Sequence, residues 1–358
     1  MLLSIENLRT YFYSRSKRAF VRSVDGASLS VGRGETLGVV GESGSGKTLA
    51  ALSAAGLVAG SPGVIGGRIE FKSRNLLDGL ERYVKVQERD GRVSAVEKDE
   101  RGWARRAERL MSGVRGKEIA MIFQNPRAAL NPYSTVGAQL VEAVRLHTKW
   151  KSKGEAKERA LHWLERVRID SPRLRFDNFP FGMSGGMCQR AMIAMALCAE
   201  PSLLIADEPT TGLDATIQAR IVELLGELKA GTGITTLLIS HDISVIRRLA
   251  DRVAVMYAGT VVESGAASQV LRPHATEQHP YTTALLASVP SAEAIRAKSA
   301  LQAIEGEVPD TTSVPRGCRF YGRCNRVTDA VRSRCANLEP PPSEIEPGHK
   351  LRCWLHAA

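Results

Sequence analysis

Aromatic residues are scarce in this 358-residue sequence, at 5%, and no apolar run approaches the ~20 residues of a helical membrane span. A protein embedded in the bilayer by helices is therefore not expected. The opening residues, MLLSIENLRTYF, lack a basic stretch followed by an apolar core, so no secretory leader is read and a cytosolic protein is expected. No internal repeat occurs, which argues against a solenoid. Charge of one sign does predominate, with 49 Lys and Arg against 38 Asp and Glu and a net charge of +11. The basic residues are dispersed, however, and Lys72–Lys117 mixes both signs. A nucleic-acid partner would need a clustered basic face or a binding motif, so none is expected. A positive surface also suits anionic lipid headgroups. Hydrophobic content of 43% and charged content of 24% are those of an ordinary globular protein with a full core.

Glycine is concentrated where it carries information. Gly41-Glu42-Ser43-Gly44-Ser45-Gly46-Lys47-Thr48 has the G-x-x-x-x-G-K-[ST] spacing and follows the apolar run Thr36–Val40, which reads as a buried strand. Backbone N–H groups of such a loop curl around phosphate oxygens, and the following helix, read over Lys47–Leu57, adds its N-terminal dipole. Lys47 can reach the outer phosphates and the Thr48 hydroxyl can hold Mg²⁺. A second apolar run, Leu203–Ala206, delivers the adjacent carboxylates Asp207 and Glu208 to the edge of a sheet. One can bind Mg²⁺ while the other positions or deprotonates an attacking water. Ser184-Gly185-Gly186 opens the apolar helix Met187–Ala199 and forms a second anion-binding helix start. Two phosphate cradles far apart in one chain suggest that two chains share each nucleotide.

In order, the P-loop, Gln124 after Met121–Phe123, Ser184–Gly186, Asp207-Glu208 and His241 after Leu237–Ser240 resemble the ATP-binding subunits of ABC transporters. The resemblance covers Leu2 to about Gly265 and continues into the tail. Asn125-Pro126, Leu130-Asn131-Pro132-Tyr133, Met187, Met256–Gly259, His279-Pro280-Tyr281-Thr282 and the cysteine-bearing tail resemble the oligopeptide and dipeptide importer branch. The fold it implies is an α/β P-loop NTPase of ABC type: a RecA-like core, N-terminal antiparallel strands, an inserted helical subdomain over about 125–185, and a small C-terminal cysteine-rich domain over 266–358 beyond the ATPase domain, 1–265. It also implies an ATPase at the cytoplasmic face of the membrane, held there peripherally. Its partners would be a second ATPase subunit, taken as a paralogue, two permeases and, indirectly, an extracytoplasmic solute-binding protein. Peptide import is the leading function, with nickel, opine or oligosaccharide import as alternatives. A soluble ABC ATPase acting on nucleic acid is a weaker alternative, because no long coiled coil or second ATPase domain is visible.

By the same resemblance, Asp207 is the Mg²⁺ carboxylate, Glu208 the general base and His241 the γ-phosphate contact that orients that base. Gln124 touches Mg²⁺ or the attacking water and links nucleotide state to the permease. Phe12, with Tyr11 and Tyr13 as register alternatives, stacks on adenine. Ser184, Gly185, Gly186 and Asp214 serve the nucleotide of the opposite subunit. The first and fifth places of the family's LSGGQ are Met183 and Met187 here, neither of which supplies the cradle.

Leu2–Val31 alternates as two strands around Ser14–Lys17; about 75–117 is a charged, partly helical insertion. Ala138–Arg145, Lys153–Val167 and Thr216–Lys229 have helical spacing. Thr235–Ile239 is a buried strand, and Arg252–Tyr257 with Thr260–Ser264 a hairpin. Tyr281–Val289 is helical and Pro290–Ala303 a linker. Of six cysteines, Cys188 and Cys198 lie in an apolar helix and read as inert. Cys318, Cys324, Cys335 and Cys353 are separated by five, ten and seventeen residues. Four thiolates in a cytosolic protein suggest zinc or an iron–sulfur cluster, and spacing alone does not separate them. The missing C-x-x-C pair argues mildly against a zinc ribbon, and the branch resemblance implies [4Fe-4S]. Such a centre is expected to be structural and remote from both phosphate cradles.

Overall fold

The computed structural model describes residues 1–89, 92–149, 152–273, 275–289 and 304–357. Leu3–Ser14 (β1) and Ala19–Val31 (β2) pair antiparallel around the expected turn, and Thr36–Val40 (β3), buried throughout, leads into the glycine loop. Pro62–Phe71 (β4) and Arg74–Asn75 (β5) complete a four-stranded sheet in the order β2-β1-β4-β5. The charged insertion is partly helical, as expected, but also holds a strand pair. Val84–Arg89 (β6) and Arg92–Lys98 (β7) form a separate hairpin, followed by the helix Glu100–Met111. Its base is anchored by Lys98, whose ammonium lies 3.9 Å from the centre of the Trp103 ring and donates to the Pro62 carbonyl. Alternating charge thus masked a strand pair, because the hairpin's outer residues face solvent.

Ile119–Ile122 (β8), Leu203–Asp207 (β9), Thr235–Ile239 (β10), Arg252–Tyr257 (β11) and Thr260–Ala266 (β12) build the main sheet with β3. From β8 through β9, β10 and β3 to β11 the neighbours are parallel; β11 and β12 form the expected antiparallel hairpin. Every residue of β3, β9 and β10 is buried, as strands covered on both faces require. One face packs against β1, β2, β4 and the helix Lys47–Ala55. The other carries the helices Val136–His147, Lys153–Arg166, Gly185–Leu197 and Ala215–Thr232, whose apolar sides meet around Trp163, Leu140 and Ile193. Thr135 and Ser152 cap the first two, accepting from Ala138 N–H at 3.2 Å and Glu155 N–H at 3.1 Å.

The C-terminal segment is not set apart as a domain of its own. Ser343–Glu346 (β13) and His349–Leu351 (β14) extend the main sheet beyond β12, giving the order β13-β14-β12-β11-β3-β10-β9-β8. Phe320 is buried in the main core, with its ring 5.3 Å from Tyr257 and 5.4 Å from Tyr281. The tail's proline-rich composition hides this docking, because its apolar anchors are few and far apart. The expected linker Pro290–Ala303 lies outside the described residues, whereas the expected helix before it, Tyr281–Val289, is present over Pro280–Ala287. Phe320→Ala should therefore lower the stability of the whole ATPase unit by ~3–5 kcal/mol. Denaturant unfolding should show the loss in the main transition; an unchanged main transition with a separate, weakened tail transition would contradict the shared core.

Candidate functional site

Parallel pairing brings three strand ends to one edge. Ile239 on β10 is in register with Val39 on β3 and with Asp207 on β9. The glycine loop, Glu208 and His241 consequently leave the sheet at the same level. The loop is closely fitted. A Cβ on Gly41 would fall 2.2 Å from the Met256 carbonyl oxygen, and one on Gly46 2.3 Å from that of Ser23. No larger residue fits at either place. Lys47 is buried, and its ammonium donates to the Gly41 carbonyl (2.8 Å), the Glu42 carbonyl (2.9 Å) and the Ser45 hydroxyl (3.3 Å). Ser43 and Gly44 are exposed at the loop's rim, with Gly44 in the left-handed region at φ 77°.

The two carboxylates diverge. Asp207 turns towards the loop and accepts from the Thr48 hydroxyl at 3.1 Å. Burial, the largest influence, pushes its acid up to about 6 against the opposing Thr48 hydrogen bond. Glu208 occupies the left-handed region at φ 47°, held by its N–H bonding to the Ile239 carbonyl at 2.9 Å. Its Oε2 accepts from Gln124 Nε2 (2.9 Å) and from the Thr211 hydroxyl (2.8 Å), while His241 Nδ1 lies 3.3 Å from Oε1. Gln124, Glu208 and His241, separated by 84 and 33 residues in the chain, thus form one cluster. Thr211 escaped the sequence reading; its place in the loop before Asp214 was the available signal.

The second cradle is built as a helix start. The Ser184 hydroxyl accepts from Met187 N–H at 3.3 Å, and a Cβ on Gly186 would lie 2.8 Å from Ile217 Cγ2. Gly186 therefore permits close packing of the helices Gly185–Leu197 and Ala215–Thr232. Asp214 caps the latter, accepting from Ile217 N–H at 3.0 Å. Among the described residues, no hydrogen bond or ion pair joins Ser184, Gly185, Gly186 or Asp214 to Gly41–Thr48. Of the three N-terminal aromatics, Tyr11 is buried and donates its hydroxyl to Asp25, while Tyr13 packs edge-on to Phe20 at 5.2 Å. Phe12 is half-buried beside Gly60.

Cys318, Cys324, Cys335 and Cys353 line one cavity, walled also by His279, Phe320, Val331 and Leu355. Burial pushes the Cys318 thiol up to about 12 and that of Cys353 to about 11; further upward pushes come from the neighbouring cysteines. The thiols share a chamber, yet among the described residues no three His, Cys, Asp or Glu side chains stand as a group able to hold a metal ion. Cys188 and Cys198 are fully buried, as read. The segment that carries the four tail cysteines reaches the glycine loop through an arginine. Arg323, beside Cys324, forms an ion pair with Glu42 of the glycine loop at 2.8 Å, and Arg319, beside Cys318, reaches Asp25 at 3.0 Å and the Ala258 carbonyl at 2.6 Å. Long-range side-chain pairing of this kind leaves no trace in local spacing.

The class that fold and site define is the P-loop ATPase, with Gln124, Glu208 and His241 gathered at the sheet edge beside its loop. Residues 24–211 match the family described as ABC transporter, and residues 262–330 match the oligopeptide/dipeptide transporter C-terminal region. The chain belongs to the ABC transporter family, in its branch of peptide transporter ATP-binding proteins. It is 42% identical over 355 residues to a probable peptide ABC transporter ATP-binding protein of Sinorhizobium fredii, covering 99% of this chain and 95% of that protein. It is 40% identical to the oligopeptide transport ATP-binding protein AppD of Bacillus subtilis, covering 99% and 97%. It is likewise 40% identical to the dipeptide transport ATP-binding protein DppD of Escherichia coli, covering 98% and 96%. Among solved structures, the ADP- and Pi-bound dimer of the ATP-binding cassette MJ0796 matches with a TM-score of 0.59 and 22% identity, covering 74% of this chain and 98% of that one; this likeness concerns the fold.

Thr48 and Asp207 are the pair able to hold Mg²⁺, which takes an ionised carboxylate. With its acid raised to about 6, Asp207 loses charge as pH falls through that value. Mg²⁺-dependent nucleotide affinity should therefore be steady above this point and decline below it. Calorimetric titrations on either side of that pH check this, and Asp207→Asn should bind weakly without the same decline.

Proposed function

We propose that this chain is the ATP-hydrolysing subunit that energises a membrane importer of peptides or similar small solutes. The observation that carries this reading is the convergence of Gln124, Thr211 and His241 on the Glu208 carboxylate beside Lys47 and Thr48, in a chain whose relatives are named for peptide transport. Lys47 and the loop amides bind the phosphates of ATP. Mg²⁺ held by Thr48 and Asp207, with Gln124 nearby, would offset charge on the phosphoryl oxygens. Glu208 accepts the proton of the attacking water, its Oε2 held by Gln124 and Thr211. His241 orients Glu208 through Oε1 and contacts the γ-phosphate. Phe12 stacks on adenine. Ser184, Gly185, Gly186 and Asp214 face the nucleotide of a second ATPase subunit, a paralogue, so that two ATP molecules close the pair.

Closure moves two permeases docked at the helical subdomain and, through them, receives solute from an extracytoplasmic binding protein. Support comes from exposed aromatics on and beside that subdomain: Tyr133 is 91% exposed, Phe181 77%, and Phe123 and Phe179 are also exposed. Apolar surface of this kind marks a partner site. Phe123 adjoins Gln124, so docking and the catalytic cluster are covalent neighbours. Among the described residues no helix is long and apolar enough to cross a membrane, which fits a peripheral subunit at its cytoplasmic face. The four tail cysteines hold a [4Fe-4S] cluster in this reading. Their shared cavity is lined by the four thiols together with His279, Arg326 and apolar and aromatic side chains, without a carboxylate, so thiol sulfur is the main donor it offers.

Glu208→Gln should retain ATP binding and lose nearly all hydrolysis, since the amide keeps shape but accepts no proton. Phosphate release by the assembled transporter measures this; substantial steady-state turnover would remove Glu208 from the role of base. Anaerobically purified protein should be brown, with iron and acid-labile sulfide each at about four per chain. Colourless protein with about one zinc and no sulfide would replace the cluster by a Cys₄ zinc site.

A further inference from the structure

Arg323 belongs to the cysteine-bearing tail by sequence and to the nucleotide site by contact. Its Nη1 lies 2.8 Å from Glu42 Oε2 and its Nη2 3.0 Å from Oε1, a two-pronged pair. The arginine side chain is 6% exposed and that of Glu42 27%. Arg323 is itself held from behind. Its Nε donates to the Glu305 carbonyl at 2.9 Å, and Nη1 also donates to the Tyr257 hydroxyl at 3.3 Å. Glu42 is no bystander in the loop: its N–H donates to the Tyr281 hydroxyl at 2.7 Å, and its carbonyl accepts from Lys47 at 2.9 Å. The Glu42 carboxylate also acts electrostatically on Lys47.

A carboxylate at the second position of a phosphate-binding loop opposes the binding of a polyanion unless its charge is cancelled. We propose that Arg323 is a positioning residue of the ATP site, cancelling and fixing the Glu42 carboxylate so that the loop remains receptive to the triphosphate. The tail thereby contributes a cation to nucleotide binding, independently of what the cysteines hold. The inference rests on Gly41–Thr48 being the ATP site. Without Arg323, Glu42 competes with ATP for Lys47 and repels the phosphates.

The test is ATP binding to the full-length chain, measured by calorimetry with ATP and Mg²⁺, together with kinetics of the assembled transporter. Arg323→Gln should weaken ATP binding roughly tenfold, the scale of one uncancelled charge at short range in a partly buried site. KM for ATP should rise more than kcat falls. The double variant Glu42→Gln/Arg323→Gln should recover most of the lost affinity, because it removes both charges. Arg323→Lys, which keeps the charge but not the fork, should lie between wild type and Arg323→Gln. Wild-type affinity in Arg323→Gln, or a double variant as weak as the single one, would overturn the proposal; the second result would make Arg323 a tether of the tail alone. Should Arg323→Gln fail to fold, an uncharged double variant far weaker than Arg323→Lys would overturn it equally. Undiminished ATP binding in Lys47→Ala would instead refute the ATP-site reading itself.

Discussion

The in-register parallel pairing of β3, β10 and β9 is the constraint on which the site depends. Three buried strands placed side by side project their following loops in one direction, and each loop carries a different chemical part. The glycine loop after β3 carries Lys47, the end of β9 and the residue after it carry Asp207 and Glu208, and the turn after β10 carries His241. A shift of one residue in any pairing would turn a functional group away from the others. The full burial of all three strands on both faces is what makes such a shift costly.

Electrostatics then differentiates two adjacent acids. Asp207 ends its strand in a buried position with a single hydroxyl donor, so its charge is held at a cost that a cation would offset. Glu208, one residue later, enters a left-handed conformation and receives an amide, a hydroxyl and an imidazole. Neighbouring residues with the same functional group therefore have distinct environments, a division of labour suited to holding a metal and handling a proton.

The tail widens the set of groups that contact the glycine loop and the strands beside it. Phe320 docks into the main core, β14 lengthens the main sheet, and Arg319 and Arg323 grip Asp25 and Glu42. A segment with the composition of an appendage is thus packed as a wall of the ATPase. Partly buried ion pairs of this kind depend on both partners remaining present, because either charge left alone is poorly solvated.

Much of this was legible in the chain itself. The glycine loop, the carboxylate pair and the helix-opening glycines have local spacings dictated by backbone geometry, and apolar runs revealed β3, β9 and β10. The roles of Gln124 and His241 came from resemblance, since a lone amide or imidazole carries no local signature. Their meeting at Glu208 was decided by strand order, which no spacing encodes. The hairpin β6–β7 was hidden by its solvated charges, and Thr211 by the commonness of its hydroxyl. Sequence by itself determined where the glycine loop and the helix-opening glycines fall and which strands are buried, because glycine sterics and continuous apolarity act over a few residues. Only the tertiary structure decided that Arg323 completes the loop containing Glu42, because an ion pair between residues 281 positions apart exists only once the sheet has brought them together.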